Sequence, residues 1–173
     1  MSIAASMLPE FDHETANTRK MLERVPEAKF GWKPHEKSFT LGQLASHLAN
    51  VPTWMAPTIL QSELDFAPVG GEPFTTPQAS STAELVKFFD DNTAAAREVF
   101  ADAADATFME NWSLLGGGQV HFTMPKIAGA QLYYEPYDSP SGAVECVFAN
   151  AGCTPRMDTI SRRRNVSYCI FLI

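Results

Sequence analysis

FTLGQLASHLANVPTWMAPTI, residues 39–59, is the stretch around which the rest of the chain is read. Thr40 and Gln43 have the spacing of a capping box, in which the Thr hydroxyl accepts from the Gln43 amide and the Gln43 side chain reaches back to the Thr40 N–H. Phe39 before the cap and Leu44 in the fourth helical position are the two ends of a hydrophobic staple. The spacing therefore predicts a helix over 40–60. Leu41, Leu44, Leu48, Val51 and Met55 recur every three or four residues and form one apolar stripe. Pro52 and Pro57 must bend or break that helix. His47 lies one turn from both Leu44 and Val51, at the edge of the stripe. An imidazole there is either a hydrogen-bonded core residue, the commoner case, or a metal ligand.

Outward from this segment, residues 3–25 read as a first helix with Ile3, Met7, Phe11, Thr18, Met21 and Val25 on one face, ended by Pro26. His13 and Glu14 fall off that face and are expected in solvent. Residues 27–38 are a connection carrying an exposed His35. Residues 61–79, rich in Pro and Gly and without a period, read as a long crossover loop. A third helix opens at Ser81-x-x-Glu84, a second capping box, and runs over 81–103 with Leu85, Phe88, Asn92, Ala96 and Val99 inward. In FMENWSLLGGGQVHFTMPKIA (108–128) three glycines divide two short runs, which reads as a small hairpin with His121 at an exposed strand position. Gly116–Gly118 lack the spacing and the following Lys-Ser/Thr of a phosphate loop.

A length of 173 residues, 45% apolar and 19% charged, describes a globular chain with a real core. The net charge of −7 and the lack of a basic patch before the last dozen residues argue against a nucleic-acid partner. No apolar run reaches membrane-spanning length and no signal-peptide layout opens the chain, so no membrane and a cytoplasmic location are expected. The character changes near Ala128. Residues 1–128 hold 16 acidic and 9 basic side chains, against 4 and 4 in 129–173, so the whole net charge belongs to the first part. Cys146, Cys153 and Cys169 and all four tyrosines lie beyond Ala128, while all three tryptophans precede it. The cysteine spacing fits neither a zinc site nor a disulfide framework, and the helical apolar period is gone. The chain thus divides into a helical part, 1–128, and an atypical tail, 129–173.

TLGQLASHLANVPTW followed by WSLLGGGQVHFTMPKIA resembles the DinB-like family of metal-binding four-helix bundles over roughly residues 1–128. The resemblance implies an all-α, up-down four-helix bundle with a long crossover and a small hairpin. It implies a divalent metal, Zn or Ni, held by three histidines, and hydrolase or thiol-transferase activity on a small-molecule substrate. The position matching the family's second-helix ligand is His47. The other two ligands belong to a fourth-helix motif, N-H-x-x-x-H-R-G-Q, and no such motif follows Ala128.

The codons themselves offer an account. TAT-GAA-CCA-TAT-GAT-TCA-CCA-TCG is one way to encode the residues from Tyr134 to Ser141. Read one nucleotide later it gives ATG-AAC-CAT-ATG-ATT-CAC-CAT, and the allowed choices through residue 160 admit MNHMIHHRGQLSVYLRMQDVPRVWTPS. That string holds the missing histidines, an Arg-Gly-Gln and a helical apolar stripe. The tail therefore reads as out of frame, replacing the fourth helix with an irregular segment, and no long helix is expected over 134–160. A divergent member with its own C-terminal structure would explain neither the composition break nor the re-reading. Three functions follow as expectations. The first is a family member inactive as translated, with His47 as the one matched ligand and the metal not held stably. The second is an active metalloenzyme recruiting His121 or Cys146. The third is a non-catalytic helical module that self-associates, for example as a homodimer.

Overall fold

The computed structural model describes residues 2–134. It is predominantly helical, as the all-α reading expects, and the expected hairpin is joined by a third strand into a small sheet. The sequence tail beyond Tyr134, including the expectation of no long helix over 134–160, lies outside the described residues.

Helix α1 spans Ile3–Leu22 and is capped by Ser2, whose hydroxyl accepts from the Ala5 N–H at 3.2 Å. It stops three residues short of the expected end. Arg24 and Val25 donate to carbonyls three residues back, a tightened turn that brings the chain to Pro26 while keeping Val25 buried. Helix α2, Leu41–Asn50, has the full reciprocal cap. The Gln43 N–H donates to Thr40 Oγ1 at 3.2 Å and the Thr40 N–H to Gln43 Oε1 at 2.9 Å.

The expected helix over 40–60 is broken in two. Val51–Trp54 forms a 3-10 turn and α3 resumes over Met55–Leu60. Pro52 lacks the N–H that would continue α2, whereas Pro57 sits in the first turn of α3, where an N–H has no helical partner anyway. Asn92 repairs part of the break by donating to the Ala49 carbonyl at 2.9 Å, one of the last carbonyls of α2.

Helix α4 spans Thr82–Asp102. Ser81 accepts from the Glu84 N–H, but the Glu84 carboxylate accepts from the Ser80 N–H and hydroxyl at 2.7 and 2.6 Å. The expected capping box is therefore displaced outward by one residue on its return side. The inner stripe is also rotated. Leu85, Phe89, Ala96 and Phe100 are buried, while Phe88 and Val99 are only half-buried. The rotation aims Phe100 at α1, where its ring stacks on Phe11 at 6.0 Å.

A short helix α5, Asp105–Phe108, leads to the hairpin β2, Asn111–Gly116, and β3, Gln119–Pro125. Gly117 and Gly118 turn it with φ of +61° and +75°, the left-handed pair a two-residue hairpin turn needs. The segment read as a crossover loop contributes a strand, β1, Glu63–Asp65, paired in parallel with β2. Three residues are too few to show a period, and the pairing partner lies about fifty residues away, so no local signal marks it. Helix α6, Lys126–Leu132, follows β3 directly.

The core has three parts. An aliphatic cluster joins α1, α2 and α4 through Met21, Leu22, Leu41, Leu44, Leu48 and Leu85. An aromatic one joins Phe11, Phe100, Phe108 and Tyr134, and a third gathers Trp54, Trp112, Leu114 and Tyr133 where α3, the sheet and α6 meet.

Candidate metal centre

His47 lies in the last turn of α2, half-buried. The capping box fixes where α2 starts and so fixes this rotation. Burial pushes the imidazole pKa below its ordinary value of 6.5, which keeps the ring neutral near pH 7, the form that binds metal. Along the same line come Val51 and Trp54, which pack with Trp112, Leu114 and Tyr133. The Trp54 ring meets Phe74 edge-on at 5.2 Å and Tyr133 at 6.3 Å. The Tyr133 hydroxyl accepts from Thr58 Oγ1 at 3.1 Å, and burial pushes its pKa up to about 12 against the opposing pull of that hydrogen bond.

The other histidines stand elsewhere. His13 is exposed on α1, with Nε2 3.2 Å from the Asn17 amide and 3.8 Å from Glu14. His35 is exposed in the connection before α2, its Nδ1 accepting from the Lys37 N–H at 3.2 Å. Both agree with the sequence expectation. His121 is exposed on β3, also as expected, and has a structural task that the sequence did not reveal. It lies at the irregularity of the β2–β3 ladder, where Leu114 pairs with Phe122 and Leu115 with Val120, leaving His121 as the extra residue. Its ring lies 5.4 Å from Phe66, and its Nε2 fills the space over Gly116, 2.5 Å from where a Cβ would be. Phe122 meanwhile packs on Trp112 at 6.2 Å, within the cluster that includes Trp54. His121 is thus engaged at the hairpin tip, roofing a glycine.

Two further features had no role in the sequence reading. Asp65 gathers the hairpin turn, accepting from the N–H groups of Ala67, Gly117 and Gly118 at 2.9, 3.1 and 2.7 Å. Desolvation pushes its carboxyl pKa up, but these donors and the nearby His121 together hold it below the ordinary carboxylate value. Lys126 is 4% exposed, its ammonium donating to the Ile59 carbonyl at 3.0 Å and to Glu110 Oε2 at 2.8 Å. It caps the carboxyl end of α3 from the start of α6, which only the tertiary fold could show. A cleft of about 550 Å3 beside it is lined by Glu98, Asp102, Thr107, Glu110 and Lys126 among others, with no histidine.

Among the described residues, no group of three or more His, Cys, Asp or Glu side chains is placed to hold a metal ion. The described side chains do not make up the three-histidine set that the family resemblance implies. Cys146, Cys153 and Cys169 lie outside the described residues. No described helix is long and apolar enough to cross a membrane.

The sequence profile of a family described as the DinB superfamily matches residues 10–124. That span runs from α1 to the end of the hairpin and includes His47. No curated protein and no solved structure matches the chain significantly.

Proposed function

The chain belongs to the DinB superfamily, and from that premise we propose that it carries a metal-binding scaffold and its second-helix imidazole, His47, with the metal centre incomplete as translated. One observation carries this reading: the chain has four histidines, His13, His35, His47 and His121, and none follows His121. The other three are all exposed, His13 on α1, His35 in the connection before α2 and His121 at the hairpin tip over Gly116. A single imidazole leaves every other coordination position of a divalent ion to water, which is far from the four-coordinate N/S sites that hold Zn or the nitrogen-rich sites that hold Ni. On this reading the translated chain is expected to lack the family's hydrolase or thiol-transferase activity on a small molecule.

Substitute ligands are the competing reading. His121 is disfavoured because moving it would uncover Gly116 and break its ring contact with Phe66. Calorimetric titration of the purified chain with Zn2+ and with Ni2+ separates the two readings. The incomplete centre gives weak binding that His47→Ala leaves unchanged. Tight stoichiometric binding abolished by His47→Ala, or by His121→Ala, overturns it.

A further inference from the structure

The carboxyl ends of two helices meet at the cleft beside Lys126, and no residue of α2 lines it. Ile59 and Leu60 close α3, while Glu98, Val99 and Asp102 belong to the end of α4. A helix end of this kind carries carbonyls without intrahelical donors and a partial negative charge, and both favour a cation. The two ends are treated differently. Helix α3 has its cation, since the Lys126 ammonium donates to the Ile59 carbonyl at 3.0 Å and to Glu110 Oε2 at 2.8 Å. Helix α4 has none. Its last turn holds no basic residue and ends in Asp102, with Glu98 four positions earlier on the same face. Carboxylates so spaced repel each other and oppose the helix dipole. Both are exposed, and neither makes an ion pair or hydrogen bond among the described residues.

The space suits more than a bare ion. Leu60, 69% exposed, gives the cleft an apolar wall together with Val99 and Ala103. Among the described residues no three acidic side chains converge as the ligands of one metal ion do, so the carboxylates stand along a rim. Three of them, Glu98, Asp102 and Glu110, against the single ammonium of Lys126 leave the lining negative. Lys126 supplies a further requirement. An ammonium has three N–H donors, and the two contacts to Ile59 and Glu110 leave one without an acceptor among the described residues. The side chain is 4% exposed, where an unmade hydrogen bond is costly, and it lines the cleft. An occupant that brings an oxygen acceptor to that N–H and a cation to the end of α4 answers both.

We propose that this cleft binds a small organic amine, with its ammonium at Glu98 and Asp102, a short alkyl chain along Leu60 and Val99, and a neutral oxygen accepting from Lys126. The oxygen is a hydroxyl or carbonyl, because a carboxylate there would meet Glu110, which Lys126 already holds. The molecule seats its own ammonium in the same way at the end of α3, between a carbonyl and a carboxylate. The site goes beyond the metal-centre reading and depends on none of its residues.

The test is a titration of the isotope-labelled full chain with aminopentanol, followed by amide chemical shifts. Pentylamine, which lacks the hydroxyl, and pentanol, which lacks the ammonium, are titrated beside it. A ligand of this size is expected to bind in about the millimolar range. It should move the amides of Val99, Ala103, Thr107 and Lys126 saturably while those of α2 stay in place. Pentylamine should bind several-fold more weakly and pentanol not at all. Glu98→Gln combined with Asp102→Asn should weaken aminopentanol by about tenfold. Relieving the repulsion between the two exposed carboxylates should leave Tm equal or higher, so that lost binding is not lost fold. The proposal is overturned by the absence of saturable shifts at the cleft, by binding that the double variant leaves unchanged, or by pentanol binding as well as the amines. Shifts of the same amides that grow with protein concentration before any amine is added would place a second copy in the cleft, and overturn it as well.

Discussion

The two ends of the helical scaffold are closed by different means. Where α1, α2 and α4 meet, the core is mainly aliphatic, built from Met21, Leu22, Val25, Leu41, Leu44, Leu48 and Leu85 with Phe89. All but Val25, which lies in the turn just after α1, come from helices whose period is written locally. Where α3, the sheet and α6 meet, the core is Trp54, Trp112, Leu114 and Tyr133, with Phe66 and Phe122 against it. These come from short elements held by long-range pairing. The first end forms from helical periodicity, and the second forms only once distant strands have found each other. His47 lies between them, on the last turn of α2.

That contrast can be broken most forcefully at Trp112, which is fully buried on β2. Trp112→Ala is expected to cost about 3–5 kcal/mol and to remove the protection of sheet and α6 amides in hydrogen exchange. Amides of α1 and the first turns of α2 should keep more of theirs. Uniform loss at both ends would mean that they are not separately organised.

A smaller change acts at the hairpin tip. An ideal Cβ on Gly116 would come 2.5 Å from His121 Nε2 and 2.8 Å from Phe66 Cζ. Gly116→Ala should cost roughly 1–3 kcal/mol by overpacking, measured by urea unfolding. Adding His121→Ala should recover part of it, since Phe66 still crowds the site. Full loss with no recovery would remove His121 from its structural task.

Tyr133 gives the aromatic end a pH signature. Its folded-state pKa of about 12 lies above the ordinary 10.0, so between those values the unfolded chain releases a proton that the folded chain keeps. Stability is complete below pH 10 and falls as pH rises toward 12, by roughly 2 kcal/mol. Tyr133→Phe should flatten this part of the alkaline unfolding curve. An unchanged curve would place the Tyr133 hydroxyl in water.

The smallest effect belongs to the locally written end. Thr40→Ala removes the acceptor for the Gln43 N–H and should lower Tm by an amount corresponding to about 1 kcal/mol, without altering the sheet. A much larger loss would make the cap essential to the whole fold and not to α2 alone.

Legibility in the sequence follows the same division. Thr40 and Gln43 announced α2, and the stripe from Leu41 to Leu48 gave its buried face, because caps and periods involve neighbours in the chain. The break at Pro52 was also readable, though its 3-10 form was not. The third helix is placed within a residue at each end, yet its stripe is rotated, since the choice between Phe88 and Phe89 depends on the α1 and α2 side chains, Met21, Leu22, Leu44 and Leu48 among them, that share the aliphatic cluster with Phe89. Strand β1 had no local mark at all. For the site, the edge position of His47 on the apolar stripe is legible, though its place on the last turn of α2 is not, and His13, His35 and His121 read as exposed, as they are. The roof that His121 makes over Gly116 and the cap that Lys126 makes on α3 depend on contacts between distant segments, which no spacing encodes.

Elemental analysis of the translated chain, purified from cells supplied with both zinc and nickel and dialysed without chelator, tests the central claim most directly. A scaffold holding His47 without its two partner imidazoles should retain far less than one equivalent of either metal, with no difference between wild type and His47→Ala. One equivalent per chain that disappears in His47→Ala would contradict it.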